Sequence, residues 1–250
     1  MEYDIQRNKP GLLGAVTTLI GMLDLNILSV TGIGQTRRGL LLQVHANADA
    51  KVRALHEALI EVGAIKVTAF RPPTLSDRIA LRHGKRLDMA ETNPPTYRFV
   101  REELGVLVDF LGDTIIEGGN CVIGIRGMPR VGKTEAAIAA CVYANKRWIL
   151  LSSTIIRQTI RTDLLLDESE NSIFLIDGIT STTRGTNEHW SLIQKVLQLP
   201  TLKIIEHPDV FLRDGRLEVD FDFIIEIRHH EEDVIRIEDI PMSFTAFDLS

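Results

Sequence analysis

From residue 12 onward apolar side chains recur at three- and four-residue spacing, as Leu13, Val16, Leu19, Ile20 and Leu23, which places them on one face of a helix. Residues 2–7 ahead of it alternate weakly, as an edge strand does, and Asn8-Lys9-Pro10-Gly11 forms a turn cluster between the two. Beyond the helix, residues 26–30 and 40–45 read as strands around a glycine-containing connection. Residues 48–62 are amphipathic again, with Val52, Leu55, Leu59 and Val62 on one side and Gly63 as the cap. Residues 65–70 close the series as a strand that Pro72-Pro73 stops. The order β-α-β-β-α-β predicts a ferredoxin-like unit, an antiparallel sheet with two helices on one face.

The pattern then changes. Residues 71–96 carry two Pro-Pro pairs around a basic segment, residues 78–86, and read as a linker holding one short helix. Residues 97–111 place Phe99, Val100, Leu104, Leu107, Val108 and Leu111 at helical spacing and predict an amphipathic helix. Short apolar runs follow at 121–125, 148–151, 172–176, 202–206 and 221–228, with helical stretches at 135–145, 155–167 and 187–199. Strands alternating with helices predict a parallel sheet. The fold class is therefore α/β, with a first domain over residues 1–70, a linker over 71–96 and a second domain over 97–250.

The chemistry concentrates where the run at 121–125 meets a glycine-rich stretch. Gly127, Met128, Pro129, Arg130, Val131, Gly132, Lys133 and Thr134 fit G-x-x-x-x-G-K-[ST] in full, and Glu135 opens the helix behind them. Glycines let backbone N–H groups close on phosphate oxygens, and the helix N-terminus adds its positive end. Lys133 would place its ammonium between terminal phosphates, and Thr134 would give its hydroxyl to Mg²⁺. The apolar strand at 172–176 ends in Asp177, an acid placed to hold the same cation. No glutamate follows Asp177, as it commonly does where ATP is hydrolysed, which tilts the reading toward phosphoryl transfer or toward binding without turnover. Arg157 and Arg161, four apart on one helix face, and the mobile Arg184 are candidates for gripping an acceptor or the transition state.

Composition narrows the partners. With 28 basic and 34 acidic residues, the net charge of −6 exerts no global pull on nucleic acid or anionic membrane. The basic segment at 78–86 has no interleaved aromatic ring to stack on bases, so it reads as a solvated helix face or an interdomain contact, and no nucleic-acid partner is expected. The two cysteines, Cys121 and Cys141, fall in a strand and a helix and read as buried small residues. The N-terminus lacks a secretion pattern, and the longest apolar stretch is too short to span a bilayer. A cytoplasmic protein with no membrane partner is expected.

Three resemblances extend this reading. NKPGLLGAVTTLIGMLDLNILSV, within residues 1–70, resembles the opening of an ACT domain. The resemblance implies a homodimer, and either an amino-acid effector held by Asn8, Gly11 and Asn26 or a plain dimerisation module. Residues 121–161 resemble small-molecule P-loop kinases, except that Thr154 stands where their Ser-Thr-Asp-x-Ile-Arg motif has its acid. The ACT-like start, RHGKR, IGIRGMPRVGKT, RWILLSS and FLIDG together resemble the uncharacterised bacterial YmfK-like family. The expectation is an ATP- or GTP-binding protein with Mg²⁺, either a kinase-like phosphotransferase or a slow NTPase regulated through the ACT-like domain. The alternative is a non-catalytic switch whose nucleotide state a protein partner reads.

Overall fold

The computed structural model describes residues 1–45, 47–151, 172–179, 181, 187–215 and 219–235. It is a mixed α/β chain of two compact units, Met1–Leu87 and Asp88–Ser250.

In the first unit β1 (Glu2–Ile5), α1 (Leu12–Met22), β2 (Asn26–Ile33), β3 (Arg37–Gln43), α2 (Asp49–Glu61) and β4 (Ile65–Ala69) follow the predicted order. The sheet is four-stranded and antiparallel, ordered β2-β3-β1-β4. Alternation along the strands sorts the side chains. Tyr3, Leu40 and Ile65 turn toward α1 and α2 and share a core with Val16, Ile20, Leu55 and Leu59. Gly39, next to Leu40, turns the other way, and a Cβ there would lie 2.7 Å from the Leu81 side chain.

Leu81 belongs to α3 (Leu75–His83), the short helix of the connector, which packs on the sheet face opposite α1 and α2. The Thr31 hydroxyl donates to the Leu81 carbonyl at 2.8 Å, and Arg86 just beyond α3 pairs with Glu2. Part of the basic segment is thus committed to the first unit.

α3 starts on a reciprocal cap. The Thr74 side chain accepts from the Asp77 amide, and the Asp77 carboxylate accepts from the Thr74 amide at 2.8 Å. Burial works to raise the Asp77 carboxyl, but Arg71 and the two Thr74 hydrogen bonds outweigh it and bring the group from 3.8 down to about 2.

In the second unit the sheet has seven strands, ordered β5-β6-β11-β7-β10-β9-β8. They are β5 (Asp88–Ala90), β6 (Thr96–Val100), β7 (Val122–Gly127), β8 (Arg147–Leu151), β9 (Ser172–Asp177), β10 (Lys203–Glu206) and β11 (Phe223–Arg228). Only β5 runs antiparallel to its neighbour. Among the described residues the unit's helices are α4 (Leu104–Glu117), α5 (Lys133–Tyr143), α6 (Asn187–Gln198) and α7 (Pro208–Asp214).

Residues 97–111 differ from expectation, because the segment is split: 96–100 is β6, 101–103 a turn of 3-10 helix, and α4 begins at Leu104. Tyr97 and Phe99 sit two apart on one strand face, where both rings meet Phe110 of α4, with centroids 4.7 and 6.1 Å away. An alternating aromatic pair followed by a helix mimics helical spacing in a single sequence.

Among the described residues no helix is long and apolar enough to cross a membrane.

The α3 cap yields a stability prediction. Thr74→Ala costs about 1 kcal/mol, the usual worth of an N-cap, read as a lower midpoint in urea unfolding. A carboxyl depressed in the folded state stabilises above its unfolded value and ceases to as pH falls through its folded value. The stability gap between wild type and Asp77→Asn should therefore hold at neutral pH and close between pH 3.8 and about 2.

Candidate functional site

The loop at 127–132 leaves the C-terminal end of β7 and enters α5 at Lys133. Gly127 closes β7 beside β11, where a Cβ would stand 2.4 Å from the Ile227 carbonyl oxygen, so no larger residue fits without moving backbone. Arg130 takes a left-handed backbone, φ 62°, and its carbonyl accepts from the Arg101 guanidinium. Val131 is fully buried and anchors the loop from below.

Lys133 is buried, and its ammonium donates to the carbonyls of Gly127 at 3.1 Å and Met128 at 2.8 Å. The lysine thus lies inside the curve of its own loop. Burial pushes its ammonium below the ordinary value, while Glu206 and Asp177 act in the opposite direction.

Parallel pairing brings these acids to the loop. β10 runs between β7 and β9, with Glu206 in register with Ile125 on one side and with Asp177 on the other. Residues in register on parallel neighbours turn to the same face, so Asp177 and Glu206 stand side by side at the C-terminal ends of their strands. The Thr134 side chain lies close enough to the Glu206 carboxylate to favour its charged form. Burial raises the Glu206 carboxyl and Asp177 adds to the rise, whereas Thr134 and Lys133 oppose it. Gly178 permits the packing, since a Cβ there would lie 2.7 Å from the Glu206 carbonyl and 2.8 Å from that of His207.

His207 adopts a left-handed backbone, φ 56°, and its imidazole is buried with Nδ1 lacking a partner among the described residues. Burial and the Lys133 charge push it down to about 4, so it is neutral at pH 7.

A second buried charge cluster braces the strand that carries the loop. Arg126 donates to Glu226 at 3.0 Å and to Asp209 at 3.3 Å, and Arg228 donates to the other Glu226 oxygen at 2.7 Å. Glu226 is buried but compensated, and the cluster ties β7, β11 and α7 together.

The structure thus brings together Lys133, Thr134, Asp177 and the loop from Gly127 to Gly132. Glu135 lies in the first turn of α5. Arg157, Arg161, Arg184 and the 152–157 motif lie outside the described residues. Glu206 and His207 are not distinguished by the sequence, where 202–206 is one more apolar run. Their only signal was a carboxylate ending such a strand, as Asp177 does, followed by a histidine and a proline.

In the first unit Asn8 and Gly11 line a recess of about 390 Å³ with Tyr3, Lys9 and Arg38. Asn26 is not with them. It pairs with Gln43, to whose side chain it donates at 3.1 Å, at the far end of the ladder from Ile33 and Arg37. A larger cavity of about 510 Å³ opens among Leu41, Leu42, Val52, Phe70 and Leu81.

Gly127→Ala should destabilise the protein by about 2 kcal/mol, in the range for a side chain forced into packed space. Chemical unfolding checks this, and an unchanged midpoint would mean that the loop does not need the close approach of β7 to β11.

The family model described as "Protein of unknown function (DUF3388)" matches residues 67–247, which takes in α3 and nearly all of the second unit. The "Uncharacterized protein YmfK" of Bacillus subtilis (strain 168) is 45% identical over 239 residues, spanning 95% of this chain and 88% of that protein. Both matches lead to one conclusion: the chain belongs to this YmfK-like DUF3388 family.

Proposed function

We propose that the second unit is a P-loop domain that binds ATP or GTP and acts on its terminal phosphate, as a kinase-like phosphotransferase or slow NTPase. The observation that carries this is Lys133, buried at the start of α5 inside the loop and beside two strand-end carboxylates. The ammonium now turned to two loop carbonyls is placed to turn to phosphate oxygens, with the loop amides as further donors.

The donor set suits Mg²⁺. The Thr134 hydroxyl and the Asp177 carboxylate are hard oxygen ligands, and the register of Glu206 with Asp177 brings a further carboxylate next to them. Thr134 and Asp177 would hold the ion, which would neutralise charge on the phosphates.

For the first unit the βαββαβ order and the strand order β2-β3-β1-β4 support the ACT-like reading. β2 is an edge strand with Leu28 and Val30 exposed, 56% and 41%, a surface suited to pairing with a second copy. Antiparallel β2–β2 pairing would carry the second copy's Asn26 toward the Ile33 end. Asn8, Gly11 and Asn26 would then approach one another across a homodimer, where an amino acid is the effector expected.

Two outcomes test the proposal. Wild type should bind nucleotide and release or transfer the terminal phosphate with Mg²⁺ present, and Lys133→Ala should lose at least tenfold in affinity, read by titrating a fluorescent ATP or GTP analogue. Tight binding without release or transfer across an acceptor panel would instead support the switch.

For the first unit, a charged residue on the edge, as in Val30→Lys, should shift the mass in sedimentation equilibrium from dimer toward monomer. A wild-type monomer at micromolar concentration would remove the dimer, and an amino-acid panel that leaves melting unchanged would remove the effector.

A further inference from the structure

We propose that the cavity of about 510 Å³ in the first unit binds a small apolar molecule carrying a protonated amine, with the Asp49 carboxylate as the partner of that amine. The site is separate from the recess at Asn8 and Gly11 and from the loop at 127–132, so it depends on neither reading given for them.

The sheet order shapes the cavity. β1 lies between β3 and β4 and runs antiparallel to both, with Glu2 in register with Gly39 on one side and Ala69 on the other. β3 and β4 therefore run the same way, and both chains continue past Glu2. β3 extends to Gln43, and the chain after β4 passes through Phe70 and Pro72-Pro73 into α3. These continuations form two walls. α2 and α3, on opposite faces of the sheet, add Val52 and Leu81 as two more.

The lining decides the body of the ligand. Leu41, Leu42, Val52, Phe70 and Leu81 line the cavity, and each is only partly buried. Protein interiors leave few voids larger than a water molecule, whereas a hollow of this size is typical of small-molecule sites. Apolar walls left open in this way gain from contact with an apolar body. The rim is ordered without a ligand: Pro72 and Pro73 restrict the backbone, and Asp77 accepts from both Arg71 and Thr74.

The charged groups on the wall decide its polar end. Glu2 is paired with Arg86, and Asp77 with Arg71. The Met1 ammonium donates to the Leu40 carbonyl at 3.1 Å, with Glu2 and Asp77 acting on it electrostatically. Asp49, in the first turn of α2, is exposed, and its carboxylate has no ion pair or hydrogen bond among the described residues. An ionised carboxylate only accepts, so the ligand group that complements it is a cationic donor. A carboxylate on the ligand would instead meet Asp49, Glu2 and Asp77 with like charge.

Three compounds on one scaffold test this with the full chain: 4-phenylbutylamine, 4-phenylbutanol and 4-phenylbutanoate. In isothermal titration the amine should bind about threefold tighter than the alcohol, in line with a solvent-exposed ion pair, and the acid should bind more weakly than either. In the wild type, the methyl resonances of Leu41, Leu42, Val52 and Leu81 should move as the amine is added. Asp49→Asn should lower the amine to the affinity of the alcohol and leave the alcohol unchanged. Val52→Trp, which fills the cavity, should weaken the amine and the alcohol about tenfold.

An acid that binds as tightly as the amine would overturn the class of ligand. A preference for the amine that survives in Asp49→Asn would overturn the role of that carboxylate. Methyl shifts confined to residues outside the cavity, or undiminished binding by a folded Val52→Trp, would overturn the site. Failure of all three compounds to bind at millimolar concentration would overturn the proposal as a whole, leaving the nucleotide and ACT-like readings untouched.

Discussion

β10 runs hydrogen-bonded between β7 and β9, in register with both, and the candidate site is a consequence of that placement. One neighbour delivers the glycine-rich loop and Lys133, the other delivers Asp177, and β10 itself adds Glu206 between them. Parallel pairing aligns all three C-terminal ends on one edge of the sheet, the edge where open α/β sheets generally hold ligands. The packing that fixes this edge is tight on both sides, with Gly127 against Ile227 and Gly178 against the ends of β10. Neither contact tolerates a methyl group, so the spacing between loop and carboxylates is set by backbone against backbone.

Two buried sets of charges lie near the loop, and one of them braces it. Arg126, the residue before Gly127, is held through Glu226 and Asp209 to β11 and α7, so the strand feeding the loop is clamped at its last turn. That network pairs its charges, while Asp209 Oδ2 is buried without a hydrogen-bond partner among the described residues. Lys133, Glu206 and His207 are arranged differently: the lysine donates to loop carbonyls and is held charged by Glu206 and Asp177 nearby, and the histidine Nδ1 has no partner among the described residues. Under the proposed function Lys133 is the group that would turn to phosphate.

The sequence showed much of this through particular residues. The stretch 121–134 announced strand, loop and helix because glycine spacing, an apolar run and good helix formers all agree there. Asp177 was legible as an acid ending an apolar strand. Residues 97–111 carry the spacing of one helix, because Phe99 and Val100 continue the spacing of Leu104 and Leu107 although the first pair lies on β6.

Glu206 was hidden for a different reason. Its importance depends on β10 pairing between β7 and β9, and strand order is a tertiary property that local periodicity does not carry. Asn8 and Asn26 show the same limit, since their places on the strand map were legible but their separation along the β2–β3 ladder was not.

Hydrogen–deuterium exchange at residues 127–135, with and without a non-hydrolysable ATP or GTP analogue and Mg²⁺, tests the central claim most directly. The account predicts strong slowing of exchange across this loop and the first turn of α5, and at the end of β10, with little change in β1 to β4. Saturating nucleotide that leaves 127–135 unprotected would contradict it.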